Sequence, residues 1–171
     1  EYNKHEKGML RPDGKVGFAT PSGRIELLPT AFDVWGIPKY PVYTPVSVGY
    51  DSTPELMKEY PYFFINGTRS WEFFHTEHRE AETLREFHPE PLVTMSPEAA
   101  EEIGVKDGDW VWMENQEGRC MQMVKTHAGM PRWHISAEHG WWKPEEEGAS
   151  PHLNGCFNYC VNNLTHCFES G

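Results

Sequence analysis

The densest run of side chains able to do chemistry is Asn66-Gly67-Thr68-Arg69-Ser70-Trp71-Glu72-Phe73-Phe74-His75-Thr76-Glu77-His78-Arg79. It follows the short aromatic and β-branched run Tyr62-Phe63-Phe64-Ile65, and a donor-rich loop just after a buried strand is where folds place ligand contacts. Gly67 allows the backbone to come close to such a ligand. The alternative for this loop is a polar surface turn. His75 and His78, three apart with Glu77 between them, raise a metal site. Zinc hydrolase motifs set their histidines four apart, and the flanking aromatics favour an extended segment, so no metal ligand is assigned here.

A second cluster is Cys156, Cys160 and Cys167, with His152 and His166 nearby. The spacing C-x3-C-x6-C fits neither structural zinc pairs nor iron–sulfur runs, which leaves buried or free thiols as the reading. A small stand-alone metalloprotein using His152, Cys156, Cys160 and Cys167 is the rival. His139-Gly140-Trp141-Trp142 places two flat rings beside a glycine, suited to stacking on a heteroaromatic ligand and equally to filling a core. No catalytic set is assigned: the nucleophile elbow, the phosphate loop and the dinucleotide fingerprint are all missing from the sequence.

The elements that must position these residues can be read from patterning. Gly23 to Leu28 alternates like a short strand after the Pro21-Ser22-Gly23 turn. Prolines at 29, 38, 41, 45, 54 and 61 forbid a continuous helix and predict an extended connector. Tyr62–Ile65 reads as a strand ended by Asn66-Gly67, and Pro91–Met95 as a second. Ser96-Pro97-Glu98 supplies an N-cap, a first-turn proline and a first-turn acid, which predicts a helix from Pro97 to Ile103 capped by Gly104. Trp110–Glu114 and Arg119–Lys125 pair as a hairpin across Asn115-Gln116-Glu117-Gly118, and Arg132–Ser136 is a further strand. Trp112, in that hairpin, is expected in the core. The fold class is therefore mainly β with a few helices, as a compact barrel, with residues 1–61 as lead-in and connector and 62–171 as the barrel.

Composition limits the function. The 171 residues are 38% hydrophobic, enough for a real core, and the net charge of −11 argues against holding a bare nucleic-acid backbone through long-range charge. No apolar run reaches membrane-spanning length, residues 1–14 lack the apolar centre of a signal peptide, and no membrane contact by this domain is expected. Four cysteines are too few for a disulfide scaffold and suit a reducing, anaerobic setting. Both ends read as cut from a larger parent polypeptide.

The order of the motifs is more specific than any of them alone. Asn66-Gly67-Thr68-Arg69-Ser70, then Phe73 to Arg79, Pro91-Leu92-Val93 with Ser96 to Ala100, Gly104 to Asp109, Glu138-His139-Gly140-Trp141-Trp142 and Asn162-Asn163-Leu164-Thr165 together resemble the C-terminal, molybdopterin-dinucleotide-binding domain of the dimethyl sulfoxide reductase family. The resemblance covers roughly Gly17 to the end. It looks most like the branch containing acetylene hydratase, pyrogallol transhydroxylase, catechol dehydroxylases and some thiosulfate reductases. It implies a double-psi β-barrel that closes over bis(molybdopterin guanine dinucleotide) carrying molybdenum or tungsten. The family's Thr-Gly-Arg motif matches Asn66, Gly67 and Arg69, with Thr68 inserted and asparagine in place of threonine. By the same match Ser70, His75 and Thr76 line the pterin or its diphosphate, Trp141 packs at the cofactor, and Asn163 bonds a pterin ring.

The resemblance further implies that the domain alone is inactive. The family's iron–sulfur cysteines and metal ligand lie in earlier domains of the parent chain, which would be this domain's first partners, with an iron–sulfur electron-transfer subunit as a further one. A twin-arginine signal on the parent would place it in the bacterial or archaeal periplasm, and its absence in the cytoplasm. The competing class is a non-catalytic barrel acting as an interaction or scaffold module.

Overall fold

The computed structural model describes residues 2–67 and 69–165, so Thr68, His166 and Cys167 lie outside the described residues. The chain divides into two compact units, Glu1–Val46 and Ser47–Gly171. This boundary falls inside the proline-rich stretch, earlier than the division at 61/62 drawn from composition. Local bonds tie residues 49–61 together within the second unit: Gly49 N–H donates to Thr53 Oγ1 at 3.0 Å, and Tyr50 Oη to the Pro61 carbonyl at 3.2 Å.

The first unit is built of turns. The strand expected over residues 23–28 does not form, because nothing in the unit pairs with it and the Glu26 carboxylate organises a local turn instead. That carboxylate accepts from the Ser22 N–H at 3.2 Å and the Thr30 N–H at 2.9 Å. These bonds, with the Ser22 hydroxyl foremost, hold its pKa at about 2. Helix α1, Ala31–Trp35, ends at Gly36, whose φ of 67° gives the left-handed cap. As the prolines require, residues 29–61 hold no helix longer than α1; α2 is Leu56–Glu59.

The second unit carries a five-stranded sheet in the order β1-β5-β2-β4-β3, with β1 Phe63–Ile65, β2 Leu92–Met95, β3 Trp110–Glu114, β4 Arg119–Thr126 and β5 His134–Ala137. β1 runs parallel to β5 and β2 parallel to β4, while β2–β5 and β3–β4 are antiparallel. The architecture is mainly β with a few short helices, its sheet curled as a half-barrel. The strands predicted in this unit all form, within a residue or two of their expected ends. Sequence reading passed over α3, Glu82–Phe87, and the short C-terminal helix α5, Cys156–Tyr159.

Helix α4, Pro97–Ile103, has the expected bounds. Ser96 Oγ accepts the Ala99 N–H at 3.0 Å, Pro97 fills the first turn, and Gly104 ends the helix at φ 74°. Alternation along β2 and β4 sends Val93, Met95, Cys120 and Val124 inward against Ala100, Met113, Ala137 and Val161. Burial, with the nearby Cys160 adding to it, pushes the Cys120 thiol up to about 12, so this sulfur is core material. Trp112 corrects the sequence reading: the pleat puts Met113 inside and Trp112 outside, 47% exposed, with the Arg119 guanidinium 4.5 Å over its ring.

One buried polar residue, Gln122 on β4, ties the sheet to the site. Its amide donates to the Glu138 carbonyl at 2.8 Å and the Tyr159 carbonyl at 3.4 Å, and its oxygen accepts the Glu138 N–H at 3.1 Å. Truncating it strands those groups away from water. Gln122→Ala is therefore expected to cost about 2–3 kcal/mol in denaturant unfolding, and Trp112→Ala only about 1 kcal/mol, an order opposite to their sizes. A larger loss for Trp112→Ala would refute the placement of that ring on the outer face.

Candidate cofactor-binding site

Two segments meet at one end of the sheet: the loop following β1, residues 66–79, and the residues following β5, 138–142. They leave adjacent parallel strands, Phe63–Ile65 beside His134–Ser136, so they emerge side by side. In open sheets this is where ligand loops gather, at the carboxyl ends of parallel strands.

The first loop folds into tight turns. Glu77 N–H bonds the Phe74 carbonyl at 3.0 Å, and His75 and His78 adopt positive φ of 55° and 70°. Side chains other than glycine pay for that conformation, and it persists where surroundings enforce it. Here the second segment does so. His75 Nδ1 lies 3.1 Å from His139 Nε2, Trp142 Nε1–H donates to the Thr76 carbonyl at 2.7 Å, and Arg79 Nη2 donates to the carbonyls of His75 at 3.0 Å and His139 at 3.3 Å. Gly140, at φ 66°, lies so close that a Cβ there would stand 2.4 Å from Thr76 Cγ2.

Beneath the loops sits a second apolar cluster, Phe73, Trp141 and Tyr159. The Arg79 guanidinium, 2% exposed, lies 4.2 Å from the Phe73 ring centre and 3.9 Å from that of Trp141. Glu138 anchors the assembly: its Oε2 accepts Trp141 Nε1–H at 2.7 Å and the Leu92 N–H at 3.2 Å, and pairs with His88 Nε2 at 2.9 Å. Burial lowers the Arg79 pKa to about 10, Glu138 opposing and Arg85 adding to the shift, which still leaves the guanidinium charged at neutral pH.

The residues singled out in the sequence fall into two places. His75 and Thr76 are brought together with His139 and Trp142, Trp141 is buried in the aromatic cluster beneath them, and Asn66, Gly67 and Arg69 lie exposed on the same loop with Ser70 half-buried. Nothing lies within 4 Å of a Cβ built at Gly67, so its backbone is open to approach. Asn163 sits elsewhere, in the 3-10 turn Val161–Leu164 that follows α5. Its amide donates to the carbonyls of Cys156 at 3.3 Å and Phe157 at 2.8 Å, and its own carbonyl lies against Gly118 of the β3–β4 turn. Sequence reading missed the roles of Arg79, Glu138, His88 and His139. The inward turn of Arg79 carried no signal in the sequence, and the contact of Glu138 with His88 joins residues 50 apart. Among the described residues no cluster of three or more His, Cys, Asp or Glu could hold a metal ion; Cys167, the fourth residue of the rival set with His152, Cys156 and Cys160, lies outside them. Nor, among them, is any helix long and apolar enough to cross a membrane.

Burial first, then His75, Arg79 and Arg69, lower the His139 pKa below its ordinary 6.5, with Glu138 opposing. A base whose folded pKa is depressed binds fewer protons folded than unfolded. Its contribution to stability is complete above the unfolded value and is lost as pH falls through the folded one. The melting temperature should therefore drop as the pH is lowered below about 6.5, and drop less in His139→Gln, as read by calorimetry across that range. Parallel profiles for the two proteins would remove His139 as the cause.

The chain is 36% identical over 154 residues to acetylene hydratase of Syntrophotalea acetylenica, covering 86% of this chain and 21% of that protein. It is 33% identical over 146 residues to dopamine dehydroxylase of Eggerthella lenta, covering 80% of this chain and 14% of that one. The structure of acetylene hydratase from Pelobacter acetylenicus superposes with a TM-score of 0.81 at 31% identity, over 90% of this chain and 21% of that chain. The barrel expected from the motifs is thus borne out as the molybdopterin-binding β-barrel fold. The chain spans about a fifth of the acetylene hydratase it matches. Its residues 63–169, which include both loops of the site, match the family pattern throughout, and the chain belongs to the molydopterin dinucleotide binding domain family.

Proposed function

We propose that the two zipped loops hold the diphosphate and pterin of a molybdopterin guanine dinucleotide, as one domain of a molybdenum or tungsten oxidoreductase. The observation that carries the reading is a local gathering of basic side chains. In a chain of net charge −11, Arg69, Arg79 and the His75–His139 pair gather at one spot, close enough for both arginines and His75 to bear on the protonation of His139. A dinucleotide's diphosphate is the complement of such a spot, because nearby donors outweigh distant net charge within a screening length.

The residues present fit that group. Arg79 Nε and Nη1 are buried N–H groups without a hydrogen-bond partner, so the guanidinium adds positive charge beneath the loops, with Glu138 partly offsetting it. The exposed Arg69 fork is suited to a phosphate, and the open backbone at Gly67 to close approach of its oxygens. Thr76 and Ser70 add hydroxyls. Asn163, its amide nitrogen engaged with Cys156 and Phe157, has its Oδ1 to offer to a pterin N–H. Trp71, fully exposed on the same loop, presents a flat apolar face beside these donors.

When bound, the metal–pterin group supplies the redox or hydration chemistry, and this domain's residues bind, orient and exclude water. The parent reading includes an iron–sulfur cluster outside this chain and contacts with the remaining domains of the same polypeptide. Acetylene hydratase and dopamine dehydroxylase act on different substrates by their names, so the shared task of this domain is cofactor holding.

Elemental mass spectrometry and pterin fluorescence of the full-length parent, made anaerobically by its host, should find molybdenum or tungsten with two pterins per chain. Arg69→Ala and Asn163→Ala should each lower that content by about tenfold while the protein stays folded. Full content in both variants would sink the residue assignment. A parent with neither metal nor pterin would sink the reading and leave a scaffold barrel in its place.

A further inference from the structure

Arg79 is among the most deeply buried side chains of the domain, 2% exposed, yet among the described residues no carboxylate forms an ion pair with it. Taking a guanidinium out of water without a paired anion is expensive, and an apolar side chain of similar volume would fill the space at less cost. Packing therefore does not explain an arginine here. The aromatic faces of Phe73 and Trp141 recover part of the cost, and Glu138, whose oxygen is engaged by Trp141, Leu92 and His88, contributes from a distance.

What the arginine does that an apolar residue cannot is bond two carbonyls at once. A single nitrogen, Nη2, donates to the His75 carbonyl and to the His139 carbonyl, on segments that follow different strands. Two acceptors sharing one nitrogen have little freedom to separate. The guanidinium sits in the corner of two nearly perpendicular rings, and one of them, Trp141, is pinned by its bond to Glu138. The enforced positive φ at His75 lies at the residue whose carbonyl is held.

Resting on the reading of the site given above, we propose that Arg79 is a positioning residue for the dinucleotide, tying the loop after β1 to the segment after β5 at the spacing that lets Arg69, His75 and His139 act on one anion. Arg79 holds the loops from below, and contact with the ligand falls to the residues it aligns. Methionine at 79 would keep an apolar body between the rings and lose both carbonyl bonds. Lysine would keep the charge and has N–H groups for both carbonyls, but it lacks the flat guanidinium body that packs on the two rings and fixes the donor nitrogen in place.

The test uses the full-length parent as wild type, Arg79→Met and Arg79→Lys, with pterin release followed by fluorescence at neutral pH and melting curves recorded from neutral to acid pH. Release is expected to quicken by about tenfold to a hundredfold in Arg79→Met and by a smaller factor in Arg79→Lys. The groups facing His139 are His75, Arg69, Arg79 and Glu138. Losing one of the cations that depress its pKa should flatten the acid fall in melting temperature in Arg79→Met and leave it in Arg79→Lys, a change that loss of packing alone does not produce. If Arg79→Met does not fold, faster release from Arg79→Lys supports the inference and unchanged release overturns it. Wild-type protein that holds pterin, with a folded Arg79→Met that releases it at the same rate, overturns the positioning role alone; wild-type protein without pterin overturns the cofactor reading and this inference with it.

Discussion

Two charges taken out of water govern the arrangement of this domain: the Arg79 guanidinium between Phe73 and Trp141, and the Glu138 carboxylate behind Trp141. They meet through the indole, not directly, because the Glu138 oxygen is engaged by Trp141 Nε1–H, His88 and the Leu92 N–H. Each buried charge needs the other's partners in place to be tolerable, since an uncompensated one would cost several kcal/mol. The consequence is coupling between elements far apart in sequence. β2, through Leu92, α3's end, through His88, and β5's end, through Glu138, must all be assembled before the arginine has its box.

Gln122 extends the same coupling into the sheet. By bonding both the N–H and the carbonyl of Glu138, it fixes the backbone that carries the carboxylate, and through the Tyr159 carbonyl it draws α5 against the same point. The barrel and the two loops are thus one hydrogen-bonded structure, with the apolar core formed by β2 and β4 on one side and the aromatic cluster on the other. A rigid base of this kind suits a site whose task is to hold a large anion in one orientation, since precision there comes from groups that are already fixed.

Where a residue's role was local, the sequence alone revealed it. Ser96, Pro97 and Gly104 announce α4 because capping chemistry acts within one turn, and the hairpin around Asn115 to Gly118 is marked by its own turn residues. The loop from Asn66 to Arg79 stood out for the same reason. What stayed hidden was set by pairing across long separations: the parallel register of β1 with β5, the engagement of Glu138 with His88, and the inward turn of Arg79 at the end of the exposed run 74–78. Trp112 was misplaced because a run of Trp, Val, Trp and Met offers large apolar groups to both faces, and hydrophobicity cannot say which face the pleat buries. The strand expected at 23–28 failed for want of a partner, since alternation shows which residues could share a face and not whether a neighbour exists.

The parallel pairing of Phe63–Ile65 with His134–Ser136 also fixes an order of events during synthesis. The loop that follows β1 leaves the ribosome well before the segment that enforces its turns, and until residues 134–142 emerge it has neither a neighbouring strand nor the carbonyl of His139 to close against. Such non-local contacts form late, because the intervening chain must first be brought together. The donors of this loop are therefore scattered in the nascent protein and converge only once the barrel has closed, so a ligand that needs all of them meets a finished domain and is among the last parts to be installed.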